Sequence, residues 1–315
     1  MELANYSDWS IDRLSEQNLF LDNKRKFPSW HYAMMNDKSR NEAIYSSIRS
    51  LDLKNKSVLE IGTGAGLVAM YFARCGAKHV YTCEMDKQLC EIAKQNIKHN
   101  NLEDKITVYN MSSTYLIDSN ILNLTPDVIF TETLDCGIIG EGYERVAADI
   151  KKIATQETII LPEIIKQYGF LVESTDINEQ NIANNEKMGA GLNLELINRY
   201  STFTYFPVRY KNYKARTLTD VAEIGTYNYK DSFKKNKKIR IKAYRSGTCH
   251  GLITYFHAKF GNHSVTNDVR DNGHWHQAFH PFLNAVNLVA GNDYLLGISA
   301  KGYVTLTSLG GQNEC

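Results

Sequence analysis

The chain has 315 residues, of which 43% are apolar and 23% charged, and a formal net charge of +1. That length holds one large domain or two ordinary ones, and the composition is that of a globular chain. Near-neutral charge provides no overall field for nucleic acid or an anionic membrane surface, and no run approaches the ~18 apolar residues of a membrane helix. The cysteines Cys75, Cys83, Cys90, Cys136, Cys249 and Cys315 form no CxxC pair. They are expected as reduced thiols of an intracellular protein. Met1-Glu2-Leu3-Ala4-Asn5-Tyr6 lacks a basic-then-apolar leader, so a cytoplasmic or nuclear location is expected.

Residues 1–50 are expected to form a polar helical lid with Trp9, Leu14, Phe20, Phe27 and Trp30 as apolar anchors. From 51 to 162 strand and helix alternate. Strands are predicted at 57–61, 79–83, 106–109, 128–131 and 158–161, and helices at 67–75 and 87–100. Such alternation predicts an α/β domain with a mostly parallel sheet. After Pro162 the pattern becomes short strands, at 168–173, 203–208, 239–243, 252–260, 283–288 and 303–307. This predicts an all-β module over 163–315. Within it, residues 177–200 are polar and amide-rich, and a helical insertion is expected there.

Glu60-Ile61-Gly62-Thr63-Gly64-Ala65-Gly66 lies between a predicted strand and a predicted helix. Glycine allows a sharp turn and close approach of backbone to ligand, and the helix N-terminus favours an anion. The spacing is GxGxG rather than the dinucleotide GxGxxG. Glu84 closes the next strand, where a carboxylate accepts hydrogen bonds from ribose hydroxyls. The set Gly62, Gly64, Gly66 and Glu84 resembles the S-adenosylmethionine motif of class I methyltransferases. A NAD-binding turn or a purely structural one is the alternative.

Downstream of the apolar strand Val128-Ile129-Phe130 comes Thr131-Glu132-Thr133-Leu134-Asp135-Cys136-Gly137-Ile138-Ile139-Gly140-Glu141-Gly142. Two carboxylates on one loop can hold a planar guanidinium from two sides, since its five N–H donors form a fork that matches carboxylates. Two unrelated acids on a solvated loop would be the bland explanation.

The loop resembles the double-glutamate loop of protein arginine methyltransferases, in the branch that reads E-x-x-D-x-x-x-x-G-E-G. Met34-Met35-Asn36-Asp37-Lys38-Ser39-Arg40 is similar to the family's N-terminal M-x-x-D-x-x-R helix, and Gly273-His274-Trp275 to its Thr-His-Trp loop. The resemblance implies a Rossmann-like methyltransferase domain followed by a β-barrel whose insertion at about 177–200 is a dimerisation arm. It implies Glu132, Glu141, His274 and Asp37 as catalytic residues, with Asp37 supporting His274. Arg40, Met34, Gly62, Gly64, Gly66 and Glu84 would bind S-adenosylmethionine, and Trp275 and Asp135 the substrate. Asp135 would narrow the pocket toward monomethylation. The implied reaction is methyl transfer to arginine in a protein or peptide, by a homodimer, without metal, membrane or nucleic acid. A small guanidine or amine is the alternative acceptor, and a scaffold without turnover a third. Ser112-Ser113-Thr114-Tyr115 stands where the family often has an adenine-binding glutamate, and Tyr115 is expected to stack or hydrogen-bond there.

Three other features have bland explanations. His274, His276 and His280 form HxHxxxH without an acid, which favours core or pocket histidines over a metal site. Lys234-Lys235-Asn236-Lys237-Lys238 is read as a solvated turn. Cys136 has no base partner in the sequence and is read as a small packing residue.

Overall fold

The structure, a computed structural model, describes residues 27–231 and 236–309. The expectations for Trp9, Leu14, Phe20, Lys234, Lys235 and Cys315 lie outside these residues. The chain forms two compact units. The first runs to Ile165 and takes in two later segments, one starting at Tyr227 and one spanning His257–Thr266. The second holds Lys166–Thr226, the residues from there to Phe256, and those from Asn267 onward. A division at 162–163 follows chain order, whereas the two later segments pack with the first unit.

The first unit opens with helices α1 (Ser29–Met35) and α2 (Lys38–Arg49). Asp37 caps α2, its Oδ1 accepting the Arg40 N–H at 3.0 Å. Strands β1 (Ser57–Ile61), β2 (His79–Cys83), β3 (Ile106–Tyr109), β4 (Val128–Thr131) and β5 (Ile159–Leu161) form a sheet of order β3-β2-β1-β4-β5. Their pairings are parallel. Helices α3 (Leu67–Arg74), α4 (Lys87–His99), α5 (Ser113–Asp118) and α6 (Tyr143–Ile153) connect them. The central strands are buried almost throughout, as a sheet covered on both faces requires. Strand order reverses between β1 and β4, so the loops leaving their carboxyl ends diverge and open a crevice. Those are the glycine loop and the double-glutamate loop.

The second unit is built on β6 (Ile164–Glu173), β7 (Phe206–Val208), β8 (Arg216–Thr217), β9 (Ala222–Tyr227), β10 (Lys237–Lys242), β11 (Gly247–Phe260), β13 (Gln277–Leu288), β14 (Asp293–Ile298) and β15 (Val304–Ser308). A further strand, β12 (His263–Thr266), pairs with the end of β11 inside the first unit. Antiparallel ladders join β11 to β13, β13 to β7, β6 to β8, β10 to β14 and β14 to β15. Leu171 and Leu252 enter one apolar cluster while Phe170, Val172 and Ile253 enter another. The two-residue period sends neighbouring side chains to opposite faces, so this sheet is buried on both.

The insertion is not the helix expected over 177–200. A short helix α7 (Thr175–Asn178) is followed by single 3-10 turns at Asn185–Lys187 and Glu195–Tyr200. Side chains explain this. Asn184, Asn185 and Asn193 accept N–H bonds from Glu186, Leu194 and Glu195, offering the backbone an alternative to helix. Gly189 and Gly191 sit at positive φ.

Candidate active site

Gly62, Gly64 and Gly66 take φ of 83°, 53° and 92°. Side chains resist that region, and a Cβ at Gly62 would also meet Thr133 Cγ2 at 3.1 Å. Glycine therefore lets the β1 loop and the acid loop approach each other. Glu84 closes β2, accepting the Gly64 N–H and the Asp86 N–H at 2.9 Å each. Beneath it lies a fully buried acid that the sequence reading left without a role. Glu60 accepts a 2.6 Å bond from Thr82, and burial pushes its pKa up.

A cavity of about 540 Å³ opens above these strands. Gly62, Gly64, Glu84, Met34, Glu132 and Glu141 all line it, so one space gathers two of the three predicted glycines, the ribose acid, the lid methionine and the glutamate pair, while Gly66 and Arg40 are not among its lining residues. Met85, Met111, Ser113 and Arg145 line it too. The sequence reading gave these four no part. Arg145 lies in the first turn of α6, just after the acid loop. Tyr115 is exposed and does not line the cavity, which removes the stacking expected of it.

Arg40 forks onto Glu132. Its Nε donates to Oε1 at 2.7 Å and its Nη2 to Oε2, while Nη1 donates to Asn41 Oδ1 at 2.7 Å. The side chains are only 5% and 7% exposed. Burial opposes the Arg40 charge, but adjoining Glu132 outweighs it and the pKa is raised. Three of five guanidinium N–H donors are committed, leaving two for a ligand carboxylate. Glu132 in turn keeps lone pairs free for a second guanidinium. Arg40 thus orients the first glutamate.

Glu141 is open to the cavity yet walled by protein. Desolvation first, then the negative charges of Asp135 and Glu132, raise its pKa to about 8. Asp135 does not line the cavity. Its Oδ1 accepts N–H bonds from Gly137 at 3.1 Å and Gly140 at 3.0 Å, which ties the loop into shape. Its effect on the pocket therefore comes through loop geometry and charge. Burial, Asp135 and Glu141 hold the Cys136 thiol well above its ordinary pKa, so it stays protonated at neutral pH.

His274 and Trp275 belong to the second unit. Their rings lie 4.0 Å apart, and Trp275 packs edge-on against Phe256. His276 and His280 are each held at about 4, foremost by burial. His280 Nδ1 donates to Gly302 O at 2.9 Å and Nε2 faces Thr254 Oγ1 at 3.0 Å, the bonding of a neutral core histidine.

A doubly wound sheet, glycines in left-handed turns, a ribose-type acid and a lined crevice define a class I S-adenosylmethionine-dependent methyltransferase. Comparisons with known proteins agree. The model of the ribosomal protein L11 methyltransferase (PrmA) family matches residues 44–187. An arginine N(omega)-methyltransferase of Streptomyces achromogenes subsp. streptozoticus is 31% identical over 291 residues, covering 91% of this chain and 80% of that protein. Protein arginine N-methyltransferase 9 of Homo sapiens is 25% identical over 322 residues, 89% of this chain and 38% of that longer protein. Among solved structures, the Trypanosoma brucei PRMT1 enzyme–prozyme complex with AdoHcy matches with a TM-score of 0.73 at 17% identity, over 88% of this chain and 92% of that one. The chain belongs to the arginine methyltransferase family, and it is an S-adenosylmethionine-dependent enzyme of arginine methylation.

The cavity residues fit that cofactor. Glu84 would take the ribose hydroxyls, and Met85, Leu89 and Met111 offer apolar walls to a base. Arg40 does not line the cavity, and its place beside the cofactor carboxylate is what the family resemblance implies. Glu84→Ala should weaken S-adenosylhomocysteine binding by about 1.5–3 kcal/mol, since hydrogen bonds to a charged acceptor are lost. Calorimetry measures this, and unchanged affinity in a folded variant would remove Glu84 from the site.

Proposed function

We propose that Glu132 and Glu141 clamp the acceptor guanidinium and that the product is mainly monomethylarginine in a protein or peptide. The carrying observation is that both glutamates line the same cavity as the glycine loop and Glu84. S-adenosylmethionine supplies a methyl on a sulfonium, already a good leaving group. Alignment and charge are therefore what the protein must contribute. Paired carboxylates draw positive charge toward two of the nitrogens and leave the third with more lone-pair density. Asp37 caps α2 and so sets Arg40, which sets Glu132. His274, with Trp275, is assigned to the acceptor by family resemblance.

Monomethylation follows from a loop that Asp135 ties down twice, which gives a pocket that resists widening around a methylated nitrogen. Mass spectrometry at long reaction times with excess cofactor decides this. Monomethylarginine should dominate, and abundant dimethylarginine refutes the product assignment while leaving the clamp intact. One observation favours a second reading. The Streptomyces relative, similar over 91% of this chain, is named for arginine itself. Turnover of free arginine that exceeds turnover of arginine peptides would select it.

A homodimer is part of the proposal. Leu192, Leu194, Leu196, Ile197 and Tyr200 are exposed, Tyr200 by 89%, and so many large apolar groups on one segment mark an interaction surface. Light scattering that finds only monomer at micromolar concentration would end this assignment.

A further inference from the structure

Tyr227 ends β9, and Tyr227-Asn228-Tyr229 packs with the first unit although it is far from the acid loop in sequence. Tyr227 and Tyr229 are both buried. Their rings meet Tyr143, the first residue of α6 and two positions after Glu141. Tyr229 lies 4.8 Å from it at 33°, and Tyr227 5.4 Å at 79°. Tyr229 is 1% exposed, and its hydroxyl has no hydrogen-bond partner among the described residues.

A buried hydroxyl without a partner is rare, because phenylalanine would fill the same space without the desolvation cost. The packing of Tyr229 on Tyr143, which opens α6 directly after the acid loop, sets the unpartnered hydroxyl beside that loop. Burial first, then neighbouring Tyr143 and the acids Glu132 and Glu141, raise the Tyr229 pKa. Asp135 acts in the same way on Tyr227. The tyrosine pair therefore lies within electrostatic reach of all three loop acids, and Tyr229 of both glutamates.

We propose that Tyr229 is a positioning residue for the guanidinium clamp, its hydroxyl donating to the Glu141 carboxylate when that carboxylate pairs with the acceptor. A neutral donor suits this place, because another cation would compete with the guanidinium for the same oxygens. Tyr229 is not among the residues lining the cavity, so it acts through Glu141. The inference rests on Glu141 as a clamp carboxylate.

The test is Tyr229→Phe, which keeps the ring and its packing, measured beside Glu141→Gln and the double variant. Phenylalanine should lower kcat about tenfold, the size of one lost hydrogen bond to a charged group. It should also leave S-adenosylhomocysteine affinity unchanged and move the acid limb of the kcat profile to higher pH. In the Glu141→Gln background it should add no further loss. Thermal unfolding checks that the variant folds at least as well as the parent. Unchanged kcat and pH profile would overturn the proposal and leave a plain packing tyrosine. Normal turnover in Glu141→Gln would overturn the clamp itself, a different result from failure of Tyr229→Phe alone.

Discussion

Glu141→Gln should cut turnover at least about 100-fold, with cofactor affinity nearly unchanged. The substitution keeps size and removes charge, and preorganised charge of this kind contributes a few kcal/mol to a transition state. Glu141 is the cleaner of the two glutamates to test. It is open to the cavity, and no ion pair of the fold depends on it among those described. Glu132→Gln should be at least as damaging to rate but harder to interpret. It would leave Arg40 charged, buried and without its forked partner, and breaking such a pair typically costs about 3–5 kcal/mol. The expected signature is therefore a pair of inactive variants, one with near-normal thermal stability and one clearly destabilised. Near-normal turnover in Glu141→Gln, measured on arginine peptides and free arginine, would remove the clamp from the mechanism.

What the sequence made legible was local. The strands 57–61, 79–83, 106–109 and 128–131 announce themselves by short apolar runs, and the glycines and acids follow them directly. A switch-point fold then places those loop residues around one crevice. What it hid was long-range. Arg40 and Glu132 are 92 positions apart, and nothing local says that one side chain will orient the other. The segment at Tyr227 reads as part of the β module, yet its tyrosines pack beneath α6. The insertion departs from the expected helix for a physical reason. Polar composition without Pro fits an exposed helix, but its asparagines bond to the backbone nearby and break the helix into turns. Asp135 was visible as an acid in the loop motif. That its carboxylate accepts two loop N–H groups rather than facing the cavity became evident only in three dimensions.

The pH dependence should approach the effect of removing a clamp carboxylate. With Glu141 at about 8 in the free enzyme, the carboxylate form that binds a guanidinium is the minority species at neutral pH. The sign follows directly. An acid with a raised pKa is protonated below that value, so kcat/KM should fall as pH drops, approaching about tenfold per unit well below the pKa. Between pH 8 and pH 6 the ionised fraction falls from about one half to about one hundredth, an expected loss of about 50-fold. Burial lowers His31, which also lines the cavity, away from this window. His276 and His280 sit near 4 and stay neutral across the window, and the Cys136 thiol stays protonated. The acceptor guanidinium itself keeps its charge throughout. Once the cation is bound beside Glu141, its charge offsets the repulsion from Asp135 and Glu132. The limb seen in kcat should therefore lie at lower pH than the limb in kcat/KM. Linkage gives an independent check. Folded chain holds a proton on Glu141 that unfolded chain releases near the ordinary carboxylate value of 4.5, so this residue makes stability decline as pH rises toward 8. Glu141→Gln should abolish both the kinetic limb and that part of the decline. A kcat/KM profile that is flat from pH 6 to pH 8 in the parent enzyme would show that Glu141 is already ionised at neutral pH, and the loop would then hold three like charges ready for the acceptor.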